Sequence, residues 1–142
     1  MADLSAIRVA LAAVITGVGP PGQGCRCSPT YLSTVNPPAA VITLQPGLNF
    51  APQTFEGSAQ YMLRVTLLAS IGSDSSADAL LSTWLSVRGS PQTSILSALA
   101  ANPNLSGACD WAVVQSVHGY GWIDWAGIQY LGANLAIQVG AT

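Results

Sequence analysis

The sequence predicts an α+β fold: helices packed on one face of a mostly antiparallel sheet of about four strands, in the order α-β-β-α-α-β-β. Three observations carry this prediction. Some segments repeat their apolar residues at helical spacing, others alternate, and stretches rich in glycine and proline separate the two kinds. At 142 residues the chain has the length of one domain, 1–142, with room for a core.

In residues 3–16, Leu4, Ile7, Leu11, Val14 and Ile15 fall on one helical face, with Asp3 placed to cap and Gly17 to stop. Residues 17–24 hold two prolines and four glycines and read as a loop. Residues 25–32 read as a short strand or as irregular chain. Ala39 to Leu44 follows Asn36-Pro37-Pro38 and is β-branched at Val41, Ile42 and Thr43, which predicts a strand. Residues 45–58 form a long polar loop that carries Leu48, Phe50 and Phe55. Residues 61–69 alternate, with Tyr61, Leu63, Val65 and Leu67 on one face, and pair with the 39–44 strand.

Ser75-Ser76-Ala77-Asp78 resembles a capping box, and Leu80, Leu81, Trp84 and Leu85 form a stripe behind it, so a helix is expected over about 75–87. Gly89-Ser90-Pro91 ends it, and a shorter helix is expected over 93–101. Strands are expected over 112–117 and 130–139, joined near Ala126-Gly127. In the second, Leu131, Ala133, Leu135, Ile137 and Val139 point inward, and Gly132, Asn134, Ala136 and Gln138 outward.

Charge narrows the function. Only 7% of residues are charged, against about 25% in an average soluble domain. Ten charged side chains must serve roughly 6,900 Å² of surface, so part of that surface is expected to be covered by a partner. Lysine is absent, which excludes a P-loop lysine, a Schiff base and a Ser-Lys dyad. Four arginines and a net charge of −2 lack the footprint of a nucleic-acid binder. Prolines and asparagines interrupt the charge-free stretches, so no transmembrane helix is expected. Met1-Ala2-Asp3 and Arg8 do not read as a secretory signal, and three cysteines agree with a reducing compartment.

No catalytic constellation stands out. His118 is the single histidine, and no G-x-S-x-G elbow accompanies it. Of the acids, Asp3, Asp74 and Asp78 read as helix-start groups, leaving Glu56, Asp110 and Asp124 without an indicated role. Cys25, Cys27, Cys109 and His118 are the alternative worth testing, as a small metal-binding domain. Their spacing is poor, because the close pair is C-x-C and the other two lie some eighty residues away. No cofactor and no metal are expected. Tyr120, Trp122 and Trp125 share a glycine-rich run in which the two tryptophans face opposite sides of the sheet, one able to join a core and the other exposed or covered by a partner.

The N-terminal helix, Asn36-Pro37-Pro38-Ala39-Ala40-Val41-Ile42, the long loop, the 61–69 strand, the helix from Asp74 to Leu85, and Gly-x-x-Tyr-Leu-Gly-Ala-x-Leu-x-Ile-x-Val from Gly127 to Val139 form an ordered set. In that order they resemble the tail terminator proteins of long-tailed phages that infect actinobacteria. The likeness spans nearly the whole chain. It implies a non-enzymatic virion protein, present in the host cytoplasm during assembly, that forms a ring of six copies at the top of the tail. That ring caps the tail tube protein on one side and meets the head-tail connector or stopper on the other, while DNA passes through its lumen without specific binding. A head completion or stopper protein, or a tail tube subunit, is the neighbouring reading. On either, the expected subunit or tube contacts are Leu48, Phe50, Phe55, Trp122 and Trp125.

Overall fold

A computed structural model describes residues 4–19, 24–31, 33–44, 59–71 and 75–141. The architecture is α+β. Among the described residues, three helices and a five-stranded sheet follow in the order α1 (Leu4–Ile15), β1 (Arg26–Ser28), β2 (Ala39–Leu44), β3 (Ala59–Ile71), α2 (Ser75–Trp84), α3 (Ile95–Ala101), β4 (Trp111–Trp125) and β5 (Ile128–Ala141). The sheet order is β1-β2-β3-β5-β4. Every pairing is antiparallel except β1 with β2.

The helices cover one face. Ile7, Leu11 and Ile15 of α1, Leu80, Leu81 and Trp84 of α2, and Ile95 and Leu99 of α3 pack in a single cluster. Against them lie Ala40 and Ile42 of β2, Leu63, Val65 and Leu67 of β3, and Leu135, Ile137 and Val139 of β5. These are the inward residues that strict alternation predicts. The outward set differs from expectation, because Asn134 and Ala136 are buried as well. Thr66 Oγ1 and Arg64 Nε both donate to Asn134 Oδ1 on that opposite face, so the side-chain amide is held among its neighbours instead of meeting solvent.

Several boundaries move, each for a local reason. The sheet has five strands, since Arg26–Ser28 adds a short parallel strand beside β2. The helix expected to reach residue 87 ends at Trp84, where Ser94 Oγ donates to the carbonyls of Trp84 and Ser86 and takes over its last turn. That same Ser94 is the N-cap of α3, accepting from the Ser97 N–H, so α3 starts at Ile95 and not at 93. The strands expected over 112–117 and 130–139 lengthen to 15 and 14 residues. They meet in a two-residue turn, Ala126-Gly127, with both φ values positive at 54° and 87°. Asp124 Oδ1 accepts the Gly127 N–H, which gives that carboxylate a structural role. The expected cap Asp3, the acid Asp74 and the whole 45–58 loop lie outside the described residues.

Candidate functional site

The surface that sets this molecule apart is the outer border of β4. It is the last strand of the sheet, and no strand lies beside it among the described residues. Register with β5 places its side chains: Ala112, Val114, Val117 and Trp122 stand opposite Val139, Ile137, Leu135 and Leu131, hence on the helix side. Val117, Tyr120 and Trp122 are 40%, 53% and 51% exposed. Val113, on the other face, is also exposed. Tyr120 hydroxyl donates to the Asp78 carboxylate in the first turn of α2, which ties the border to the helix layer.

A groove of about 570 Å³ runs between α3 and this border. Leu96, Leu99 and Ala100 of α3 form one wall, residues 112–117 of β4 the other, and Val87 and Pro103 also line it. No ionisable side chain is among the described residues that line it. The Pro103 carbonyl accepts the Ala112 N–H at 2.7 Å, which closes the start of the strand edge.

The two tryptophans do take opposite faces. Trp125 belongs to the face away from the helices, where it joins Ile123 against a second cluster of Val35, Ala39, Val41, Leu68 and Tyr130. Its ring centroid lies 5.4 Å from that of Tyr31. An intrachain partner is therefore present for Trp125, whereas Trp122 is left half-exposed. Leu48, Phe50 and Phe55 lie outside the described residues.

The proposed metal ligands are not brought together. Cys27 shares a sheet row with Ala40, Leu67 and Ala133, at the border opposite to β4. Cys109 lies beside the start of β4, next to Asp110, whose N–H donates to the Gly140 carbonyl. Four strand spacings separate those borders, roughly 19 Å. His118 stands opposite Asn134, on the face away from the helices, whereas Cys25 and Cys109 lie in the helix-side cluster. No group of three or more metal-ligating residues occurs among the described residues.

All three thiols are free. Burial pushes the Cys25 thiol far up, with the neighbouring Cys27 adding to it. Burial alone pushes Cys27 up to about 12. Burial and then the Asp110 charge raise Cys109, opposed by a backbone hydrogen bond from Trp111. A thiol whose folded pKa is raised favours the fold below its unfolded value of about 8.5 and loses that contribution as pH climbs toward the folded value. Stability is therefore expected to be flat to about pH 8 and to fall above it. Iodoacetamide at pH 8 should label the folded protein slowly and label all three cysteines once urea is added. Rapid labelling of Cys27 in the folded state would contradict this environment.

Comparison with protein-family models found no match, and comparison with curated proteins found none either. No helix among the described residues is long and apolar enough to cross a membrane.

Proposed function

We propose that this chain is a structural virion subunit of a phage tail, a terminator that caps the tail tube, ends its polymerisation and forms the ring to which the head-tail connector docks. One observation carries the reading: an exposed apolar strand border on a chain with 7% charged residues. Such a border invites pairing and is normally covered in the working assembly. The order of motifs noted in the sequence supplies the identity of that assembly. In this reading the protein performs no catalysis. Its part is to present surfaces to copies of itself, to the tail tube protein and to the connector, around a lumen through which DNA passes. A net charge of −2 suits such a conduit, because each phosphate contact would add affinity that moving DNA has to break.

The test is tail length. Particles made without the protein should carry overlong tubes, and adding the purified chain during assembly should restore a uniform length. Tails of normal length beside unfinished heads would identify a stopper instead, and unaltered particles would refute a role at the tail.

A further inference from the structure

We infer that the free subunit pairs with a second copy of itself edge to edge along β4, each copy inserting Trp122 into the groove between α3 and β4 of the other. Trp122 is the knob and the groove is the hole. Trp122 and the groove wall at Val114 belong to the same strand, on the same border and the same helix-side face. With a bulged residue at each register shift between them, they stand opposite Leu131 and Ile137, about 20 Å apart along the sheet. A head-to-tail contact needs knob and hole on opposite sides of the subunit. Knob and hole on one border are self-complementary, which is the condition for a two-fold contact.

An antiparallel pairing of two β4 strands about an axis near His118 sets Trp122 of one copy opposite Val114 of the other. Directly opposed residues in an antiparallel pair share a face, so the indole arrives on the side where Leu96 and Leu99 wall the groove. The two register shifts in β4, between Val114 and Ser116 and between His118 and Gly121, fall on either side of that axis. Each shift adds one residue on its own side of His118, so Val114, opposite Ile137, and Trp122, opposite Leu131, both stand three ladder positions from His118, opposite Asn134, and keep the same face. Among the described residues, the opposite border of the sheet offers no comparable edge. There β1 has three residues, and Arg8 Nη2 donates to the Ile42 carbonyl just beyond it.

Charge and area agree with a copy of this chain as the occupant. The described lining of the groove carries no ionisable group, and the segment that arrives opposite it, Gly119-Tyr120-Gly121-Trp122-Ile123, is equally uncharged. Tyr120 and Trp122, each about half-exposed, together with Val87, Val113 and Val117, offer a few hundred Å² of apolar surface per copy. This is below the roughly 800 Å² per partner of a standard permanent interface, so the pair is expected to dissociate on dilution. The inference uses the same β4 border as the tail reading, at an earlier stage. A two-fold contact alone cannot close a ring with unlike faces, so it describes the subunit before it is mounted.

Sedimentation equilibrium of the purified chain across a concentration series, together with oxidative cross-linking of His118→Cys, tests it. The wild type should pass from 14.5 kDa to twice that mass as concentration rises. Trp122→Ser should weaken pairing by roughly thirtyfold or more, the scale of a buried aromatic anchor. Val117→Arg, at an exposed position that tolerates substitution, should do the same while circular dichroism stays unchanged. His118→Cys, lying near the axis, should form a covalent dimer that the wild type does not form. A monomer at every concentration overturns the inference. So does a dimer indifferent to both substitutions, or a higher oligomer lost in Trp122→Ser without any cross-link at 118. The tail-length assay reads the other proposal, so either can fail while the other stands.

Discussion

Replacing Trp84 by Ala is expected to destabilise the protein by about 3 to 5 kcal/mol, the cost of emptying the largest fully buried side chain. Trp84 is the last residue of α2, and its ring lies in the helix-side core. Its Nε1 donates to the Val18 carbonyl at 3.2 Å, which joins α2 to the segment leaving α1. Truncation therefore removes core contacts and one of the two donors to that carbonyl, which keeps the Cys25 N–H at 3.0 Å. Trp84→Phe separates the two contributions, since it keeps most of the apolar volume and loses the hydrogen bond. It should cost about half as much. Urea midpoints at unchanged m-value measure both variants. Equal stability for Trp84→Ala and the wild type would mean that α2 does not hold its place in the core.

Gly132→Ala is expected to cost about 3 kcal/mol or more, at the upper end of overpacking penalties. A Cβ built at Gly132 would stand 2.0 Å from the Leu67 carbonyl oxygen and 3.1 Å from Ile123 Cδ1. The oxygen is backbone and cannot rotate away. Gly132 lies in the middle of the sheet, paired with Leu68 on one side and Gly121 on the other, where β3 shifts register between Leu68 and Ser70. Relief would require β3 and β5 to separate. Gly140→Ala makes the informative contrast. There the nearest atoms belong to the Trp111 indole, a side chain at the start of β4 that can swing aside, so about 1 kcal/mol is expected. Thermal melts of the two variants compared with the wild type should therefore rank Gly132→Ala well below Gly140→Ala. The reverse order would show that the β3–β5 contact is looser than the register indicates.

Much of the architecture follows from local patterns. Alternation at Leu63, Val65 and Leu67, and at Leu135, Ile137 and Val139, selects the face that meets the helices, because successive strand side chains point to opposite sides. Gly17 past the end of α1 and Ala126-Gly127 between β4 and β5 mark a stop and a turn that backbone sterics impose without help from the rest of the molecule. The paucity of charge is likewise a property of the chain itself, and it is enough to expect a covered surface.

Tertiary structure decided what local pattern leaves open. Ser94 both caps α3 and ends α2, and a hydroxyl reaching carbonyls eight and ten residues back leaves no periodic trace in the chain. Trp122 and Trp125 are equally aromatic in sequence. Only the arrival of Tyr31 and the Val35 cluster on one face gives Trp125 neighbours and leaves Trp122 exposed. The three cysteines and His118 invite a ligand set when read along the chain, and the strand order β1-β2-β3-β5-β4 sends them to opposite borders and faces. Which strand ends the sheet is likewise a matter of long-range pairing. A 15-residue strand reads the same at an edge as in the middle, and its place at the edge is what leaves the groove and Trp122 open to a second copy.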